Sequence, residues 1–355
     1  MIKNISLALA IFVFPALASA QTYTGAIKGN GSGISSAPVP ELEVFGPGTD
    51  GDVTLGPGVV FLASNTYFNN LTIQAGATVY VANGNAPSTN GAINVKETLT
   101  INSGAVVVSS GSDGANGLSA TTGGTAGVFN YLTAFGFLGV GTLPGQPGGN
   151  GGNGAAVTGS APQLITQTCS AFTTTGTVAG IGGSGTSGAG GTPAPVFTHG
   201  LNKVLIPTSG SASQSLASNQ ACGGAGGGGG GGDSVNSGGK GGGGATSAGT
   251  VSIRAKNIVN NGIIDARGGR GGNGFAPTLG DTGGGGGGTG GGGGLVALVY
   301  QTYSGTGSVL VAGGSGGTGA SGNGGGSAGQ NGAAGQDGKV VRFNLTEQTV
   351  TVGSN

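Results

Sequence analysis

Apolar and polar residues alternate in short segments between residues 51 and 110, and this pattern predicts β-strands. Segment 71–79 (Leu-Thr-Ile-Gln-Ala-Gly-Ala-Thr-Val) is echoed 28 residues later by segment 99–107 (Leu-Thr-Ile-Asn-Ser-Gly-Ala-Val-Val), and segment 53–60 is a looser third copy. Each copy has a strand-like half, a glycine-containing corner and a second strand-like half. Because successive side chains of a strand point to opposite faces, each copy turns one apolar row inward. Stacked copies of this kind predict a β-solenoid, in which each turn packs its inward residues on the next.

A second repeat occupies residues 223–345. Three strand-like segments at 251–255, 296–300 and 341–345 lie 45 residues apart, and a glycine-rich run precedes each of them. The runs begin at Gly223, Gly268 and Gly313. A fixed period of this length is typical of repeat architectures. We therefore expect an all-β fold, a right-handed parallel β-solenoid from which the glycine runs project as arms.

The last glycine run has a three-residue period. Glycine occupies every third position from 313 to 325 and, after a slip of one residue, from 326 to 338. This spacing suits a polyglycine II helix with three residues per turn, and an arm of ~13 residues would reach ~40 Å. Arms that go out and return would pair N–H with C=O in a polyglycine II bundle. Flexible glycine linkers are the alternative, but a flexible linker has no reason to keep a 45-residue register.

The first 20 residues have the three parts of a secretory signal peptide. Residues 1–4 carry a positive charge, residues 5–17 are apolar, and Ala-Ser-Ala at 18–20 is a cleavage site before Gln21. A membrane anchor is the alternative, but the apolar stretch is shorter than the ~20 residues that a span needs. We expect a secreted or cell-surface protein without a membrane span after cleavage, in which residues 21–50 form an N-terminal leader or cap.

Charge is scarce along the whole chain. Only 6% of the residues are charged, and the formal net charge is zero. The sequence therefore lacks the basic patch that nucleic-acid binding uses and the polybasic segment that anionic lipids attract. A surface with so little charge recognises partners by hydrogen bonds and shape, and it favours self-association. We expect a surface glycan or a protein receptor as partner, or further copies of the chain in a homo-oligomer.

Residues 111–222 are less regular than the rest and contain the most aromatic stretch, 128–138. Its aromatic residues alternate in part, which suits burial in the β core or, alternatively, a set of anchors for a partner. The only histidine lies on an irregular loop of the same region. The candidate binding residues are Phe129, Tyr131, Phe135, Phe137 and His199.

The two cysteines of the chain are Cys169 and Cys222. An even number of cysteines in an exported protein favours a disulfide, and two buried thiols are the alternative. The bridge would close a loop of ~54 residues and contribute up to ~4 kcal/mol in the chain-entropy model. It would fix the irregular region to the start of the first regular glycine run.

No residue pattern predicts catalysis, a metal site or a cofactor. A catalytic triad needs a histidine between a nucleophile and an acid, and a zinc site needs about four nitrogen or sulfur ligands. Charged residues cluster once, at Arg254, Lys256, Asp265, Arg267 and Arg270. Asp265 and Arg267 share a face if their strand is regular. We expect a surface ion pair at the base of a glycine arm, with a carbohydrate contact as the alternative.

Three segments carry a resemblance to known proteins. Residues 50–55 (Asp-Gly-Asp-Val-Thr-Leu), 67–79 and 98–102 together resemble the opening of glycine-rich β-helix proteins of bacteria and of phage and large-virus particles. The glycine runs are similar to the polyglycine II bundle of tailed-phage receptor-binding adhesins, whose distal loops contact the host surface. This resemblance covers most of residues 50–345 and implies a role in adhesion. The signal peptide departs from phage adhesins and favours a cell-encoded surface protein.

These observations together predict an exported, non-enzymatic surface protein. It would act in adhesion or as a structural component of an extracellular layer, fibre or matrix. Residues 118–222 and the tips of the arms would contact the partner. Residues 346–355 would form a C-terminal strand or tail that is open to pairing with another subunit.

Three other functions remain as alternatives: a virion receptor-binding adhesin, an ice-binding protein and a β-helix carbohydrate-active enzyme. A virion receptor-binding protein would need a trimeric or tail-docking N-terminus and would lack a cleaved signal. Ice binding needs a regular outward array of threonines, and the pairs Thr98/Thr100 and Thr349/Thr351 are too sparse for it. An enzyme of this fold would use clustered charged groups such as Asp265.

Overall fold

The computed structural model describes residues 44–63, 66–82, 92–117, 180, 182–185, 189–190 and 227–353 of the 355-residue chain. All of them belong to one compact unit, which spans Val39–Asn355. The described part contains thirteen β-strands and, at Val44 and Phe45, a short helical segment. It is therefore all-β, as the alternating pattern predicts.

The strands form two sheets. In spatial order, sheet A contains β1 (Asp52–Leu55), β3 (Tyr67–Ile73), β5 (Ala92–Ile101), β7 (Thr250–Asn260), β9 (Leu295–Tyr300), β12 (Lys339–Asn344) and β13 (Thr349–Gly353), and β10 (Thr302–Ser304) also pairs with β7. Sheet B contains β11 (Ser308–Leu310), β8 (Ile263–Asp265), β6 (Val106–Val108), β4 (Ala77–Ala82) and β2 (Gly58–Ala63). These strands pair in parallel except for β12 and β13, which are antiparallel.

From β1 to β8, successive strands alternate between the two sheets, so that the chain passes through sheet A, turns and passes through sheet B. The repeat in the sequence appears as strand register. Leu71 pairs with Leu99 in sheet A, and Val79 pairs with Val107 in sheet B. Leu99 in turn pairs with Ile258 of β7. Each inward residue therefore lies beside the equivalent residue of the next copy, and the C-terminal repeat continues the same rows.

The main apolar core combines buried side chains of both sheets. Its fully buried members include Leu71, Ile73, Leu99, Ile101, Ile253, Ile258, Ile264 and Leu298. Burial of one such side chain is worth ~1.5–3 kcal/mol. A second, smaller cluster contains Leu295 and Val299, which alternate along β9 with the core residues Val296 and Leu298. Alternate residues of a strand point to opposite faces, so the second cluster lies on the outer face of sheet A.

Glycine makes the corners between the two sheets. Gly76 (φ 79°) and Gly104 (φ 81°) occupy equivalent positions of the two copies and adopt left-handed backbone conformations. In each copy the following alanine donates its N–H to the carbonyl three residues earlier, at 3.1 and 3.0 Å. A side chain at this φ is strained, which explains why the corner positions of the repeat are glycine.

The glycine runs connect neighbouring strands. Thr98 and Asn257 are 159 positions apart in sequence, yet they pair directly between β5 and β7. The chain between them therefore leaves the sheets after β6 and returns at β7. Segments 266–294 and 311–338 leave after β8 and β11 and return at β9 and β12. The 45-residue period is thus one strand pair plus one excursion.

Each of the two C-terminal excursions goes out and comes back, as the run lengths predict. The returning half donates N–H groups to the outgoing half at every third residue. In the first excursion the pairs are Gly291 to Gly269, Gly288 to Gly272 and Gly285 to Phe275, at 2.9, 2.9 and 3.1 Å. In the second they are Gly335 to Gly314, Gly332 to Gly317 and Gly329 to Ala320, at 2.8, 2.9 and 2.9 Å.

Segment 283–294 lies at the centre of the glycine segments. Its backbone bonds to six other segments, which include residues 180–183, 228–231, 239–248, 266–275, 314–320 and 327–336. All twelve of its residues are buried, and all are glycine except Thr289. The outer segment 311–338 has fewer such neighbours and keeps glycine mainly at every third position. The glycine content of a segment therefore follows the number of segments around it.

Close contact between backbones is the reason for glycine at these positions. A Cβ on Gly288 would collide with the carbonyl oxygen of Gly243, and a Cβ on Gly285 would collide with that of Lys240. These carbonyl groups accept hydrogen bonds themselves, from Gly272 and from Phe275. They cannot move aside without loss of those bonds.

The C-terminal residues form β13, which pairs antiparallel with β12 from Asn344↔Thr349 to Val340↔Gly353. This strand stands at the end of sheet A, with β12 as its neighbour in that sheet. Its pairing with another subunit stays a prediction. Among the described residues, no helix is long and apolar enough to cross a membrane.

We expect Gly288→Ala to lower the free energy of unfolding by ~1–3 kcal/mol or more, because the added methyl group overpacks two backbones. Thermal or urea unfolding of the secreted protein measures the change. Ser315→Ala is the matched control, since Ser315 is an exposed residue of the outer segment, and it should change stability by less than ~0.5 kcal/mol. Equal stability of the two variants would contradict the central position of segment 283–294.

Candidate functional site

Sheet A carries two columns of mostly polar side chains on its outer face. Strand register aligns the first column, which is Asp52, Asn70, Thr98, Asn257 and Thr302. It also aligns the second column, which is Thr54, Thr72, Thr100, Val259 and Ser304. These residues point away from the core because the residues between them, such as Leu71 and Leu99, are buried in it. We call these ten residues the polar face.

Hydrogen bonds run from strand to strand along the first column. Asn70 Nδ2 donates to Asp52 Oδ1 at 2.9 Å, and the Thr98 N–H donates to Asn70 Oδ1 at 3.2 Å. Asn257 Nδ2 donates to Thr98 Oγ1 at 3.5 Å, and Thr302 Oγ1 donates to Asn257 Oδ1 at 2.7 Å. Side chains linked in this way hold their donors and acceptors in fixed positions.

Asp52 begins the first column and is exposed. Hydrogen bonds from the side chains of Asn69 and Asn70 lower the pKa of its carboxyl group. The carboxylate is therefore ionised at neutral pH, and it places a negative charge at one edge of a face that otherwise contains neutral groups.

The polar face is a regular grid. Strands of a sheet lie ~4.8 Å apart, and alternate residues of a strand lie ~6.6–6.8 Å apart. The face spans five strands, and each strand contributes one residue to each of the two columns. Short hydroxyl and amide groups on such a grid suit contact with a flat polar surface that repeats in the same way.

The far ends of the excursions form a second candidate surface. We define the arm tips as residues 233–236, 276–282 and 321–325. The Asp233 carboxylate accepts the N–H of Val235 at 2.7 Å within its own tip and the N–H of Asp281 at 3.0 Å from the next tip. Asp281 in turn accepts the N–H of Gly325 from the third tip at 2.8 Å. Carboxylates therefore link the three tips into one surface.

Asp233 has the most perturbed carboxyl group of the tips. The side chain and the backbone N–H of Asn236, followed by the N–H of Val235, stabilise its charged form. These hydrogen bonds hold the pKa of Asp233 well below its ordinary range. The charge of Asp233 is thus part of the folded structure of the tips.

Two tips also expose large apolar side chains. Val235 is 79% exposed and Leu279 is 67% exposed. An exposed apolar side chain at the far end of an excursion can contact a partner, because apolar contact area drives most protein association. The tips therefore combine fixed polar groups with exposed apolar ones.

The charged cluster of the sequence does not form one site. Arg267 and Asp265 make the expected ion pair, with Nη2 to Oδ2 at 2.7 Å and Nε to Oδ1 at 3.0 Å. Lys256 instead pairs with Glu97 at 3.7 Å. Arg254 lies on the outer face of β7, in the other sheet from Asp265. Within the described ranges, no group of three or more His, Cys, Asp or Glu residues is placed to hold a metal ion.

Several predicted site residues lie outside the described residues. They are the candidate binding residues Phe129, Tyr131, Phe135, Phe137 and His199, and the candidate disulfide partners Cys169 and Cys222. These predictions stay predictions.

The polar face was missed by the sequence analysis, which noticed only the pair Thr98/Thr100 within it. The partner residues lie at unequal distances along the chain, for example 28 positions from Asn70 to Thr98 and 159 positions from Thr98 to Asn257. The signal that was present is a polar residue on each side of the buried leucine, as in Asn70-Leu71-Thr72. That signal identifies a face only once the strands are in register.

No family model, curated protein or solved structure matches this chain.

We expect Asp233→Asn to change the acid stability of the protein. A carboxyl group with a lowered pKa contributes stability above its unfolded-state pKa of ~3.9, and this stability is lost as the pH falls through the folded-state value. The thermal midpoint Tm of the wild type should therefore fall more steeply below about pH 4 than that of the variant. Tm measured between pH 7 and pH 2 tests this prediction, and parallel curves for the two proteins would contradict it.

Proposed function

We propose that this chain is an exported, non-enzymatic surface protein that acts in adhesion or as a structural component of an extracellular layer, fibre or matrix. The observation that carries the proposal is the bonding of segment 283–294 to six neighbouring segments. A bundle of this kind is a rigid projection with bonded tips. Rigid scaffolds that present loops are typical of binding proteins.

We further propose that the two sheets are sides of a right-handed parallel β-solenoid and that the glycine segments form a polyglycine II bundle. The alternation of strands between two parallel sheets supports the first part. The second part is supported by hydrogen bonds at every third residue, such as Gly111 to Arg267, Gly114 to Arg270 and Gly117 to Asn273. That spacing equals one turn of a polyglycine II helix.

Export is the remaining part of the proposal. It rests on the signal-peptide pattern of residues 1–20 and on the low charge of the chain. A surface glycan or a protein receptor is the proposed partner of an adhesin, and other copies of the chain are the proposed partners in a matrix.

A glycan-array and whole-cell binding screen on the secreted protein, with electron microscopy of the same sample, tests this function. We expect saturable binding by dispersed particles, and the double variant Val235→Ser/Leu279→Ser should weaken it about tenfold or more, as loss of hot-spot side chains does. Val352→Ser is the matched control, because Val352 is 62% exposed but lies in β13. A second variant replaces residues 128–138 with a Gly-Ser linker and tests the predicted aromatic anchors.

The outcomes of the screen separate the two forms of the proposal. Binding that is lost in the tip variant and retained in the control supports an adhesin. Filaments or sheets without ligand binding support a structural component. Retention of the protein inside the producing cell, or turnover of a glycan substrate, would overturn the proposal.

One observation favours a second function, which is ice binding. The polar face places Thr54, Thr72 and Thr100 in one column and adds a second column of short polar side chains beside it. This array is more regular than the threonine pairs in the sequence indicate. Ice is a periodic hydrogen-bonding surface, and a flat, fixed grid of hydroxyl groups is the protein surface that suits it.

Thermal hysteresis of the secreted protein tests ice binding. If the polar face binds ice, the wild type arrests ice growth, and Thr72→Tyr/Thr100→Tyr abolishes most of the effect because the bulky rings break the flat grid. Thr318→Tyr is the control, since Thr318 is exposed on a glycine arm. An inactive wild type, or a fully active double variant, would remove this second function.

A further inference from the structure

Two polar residues of β7 lie in a mostly apolar setting. Ser252 and Arg254 alternate with the core residues Val251 and Ile253, so they point to the outer face of sheet A. Their partners in strand register on β9 are Ala297 and Val299. Val299 belongs to the outer apolar cluster with Phe45, Leu295, Val341 and Phe343. The guanidinium group of Arg254 is therefore placed beside an apolar cluster rather than in open solvent.

Both residues are buried, and each has one polar side-chain atom without a partner among the described residues. Arg254 is 9% exposed and Ser252 is 1% exposed. In the part of the chain that the structure describes, neither Arg254 Nε nor Ser252 Oγ has a hydrogen-bond partner. Buried polar atoms in proteins nearly always have such a partner. Two orphans on one face, two residues apart, indicate that a group outside the described residues completes them.

Among the residues that the structure describes, no acidic side chain forms an ion pair with Arg254. Burial lowers the pKa of Arg254, and the nearby phenol of Tyr67 acts in the opposite direction. The closest acid along β5 is Glu97, whose carboxylate pairs with Lys256 at 3.7 Å. Asn94, the register partner of Arg254 on β5, donates its Nδ2 to the Thr66 carbonyl at 3.3 Å and carries no charge. A buried cation without a counter-ion is strongly disfavoured, so the missing group is expected to be an anion.

We propose that Ser252 and Arg254 form a binding site for a carboxylate group. A carboxylate matches the planar fork of a guanidinium, which can donate two parallel hydrogen bonds. The Ser252 hydroxyl supplies a third donor from the same side. The apolar side chains of Val299 and Phe343 border the site and favour a carboxylate on a small or partly apolar carrier. This site does not depend on the adhesion proposal, because it lies on the sheets and not on the arm tips.

The carboxylate has two possible sources, which are an external ligand and the chain itself. Acidic sugars carry the group in surface glycans. Two acidic residues of the chain, Glu41 and Glu43, precede Val44 in sequence and lie outside the described residues. Val44 and Phe45 belong to the apolar cluster that borders the site. The experiment therefore tests each source with its own set of samples.

Sodium acetate and sodium D-glucuronate are the probes, titrated into the full secreted protein and compared with sodium chloride at equal ionic strength. Isothermal calorimetry gives the affinity, and the NMR signal of the Arg254 Nε–H reports directly on the site. We expect carboxylate binding that is about tenfold or more weaker in Arg254→Met, the loss that accompanies a hydrogen bond to a charged group. Ser252→Ala should weaken it less and keeps the site testable if Arg254→Met does not fold.

Arg270→Met is the control, because Arg270 is exposed and offers the same charge away from the site. Binding to the wild type identifies an external carboxylate, and tighter binding of glucuronate than of acetate identifies an acidic sugar. Binding only to Glu41→Gln/Glu43→Gln identifies the chain's own carboxylate as the usual occupant. Absence of carboxylate binding in both proteins, or equal binding in Arg254→Met and Arg270→Met, would overturn the proposal.

Discussion

The hydrogen bond between two glycine backbones is the interaction on which the rest of this structure depends. Ten of the twelve N–H groups in segment 283–294 donate to described carbonyls of neighbouring segments. Ordering a residue costs ~1–2 kcal/mol of backbone entropy, and glycine loses the most freedom. One intramolecular hydrogen bond returns ~0.5–1.5 kcal/mol. The central segment therefore comes close to balance only because nearly every residue is bonded, and it is bonded because no Cβ separates the backbones.

The β-sheets bury apolar side chains and fix the ends of the glycine segments, which have few apolar side chains of their own. The outer segment 311–338 donates backbone N–H groups mainly at every third residue and makes fewer backbone bonds per residue than segment 283–294, so these bonds do not offset the cost of ordering it. Its two ends are fixed in β11 and β12, whose apolar residues Val309 and Val340 are buried. Side chains add further acceptors, since Asp337 and Asn331 accept the N–H groups of Gly313 and Gly319. Register is therefore set in the sheets and carried outward into the arms.

This difference between the β-sheets and the glycine segments explains which features the sequence predicts. Strands such as β3 and β5 can be recognised in the sequence because their alternation and their glycine corners are local. The 45-residue period can be recognised because a strand pair and an excursion of almost the same length recur. The pairing of β5 with β7 is not visible, because nothing local marks the 159 positions between Thr98 and Asn257 as an excursion. The polar face and the orphaned Arg254 follow from that pairing. Both features depend on the register between β5 and β7, and the register between strands far apart in sequence cannot be read from a single sequence.

The difference between bonded glycine backbone and projecting side chains also limits where a partner could bind this molecule. The buried glycine segments use most of their backbone groups on one another, so they have little left to offer a ligand. Side chains project from bonded backbone at the polar face, at the arm tips and on the outer face beside Arg254, and these are the places that a proposed partner would contact. The first two present exposed and half-buried polar groups, some of which are fixed by side-chain hydrogen bonds, as between Thr302 and Asn257 or between Asp233 and Asp281. Fixed groups lose little entropy on contact, so they would suit the proposed binding of a partner by a chain with 6% charged residues. Arg254 differs because it is buried and its Nε lacks a hydrogen-bond partner among the described residues, so the group proposed to complete it is an anion.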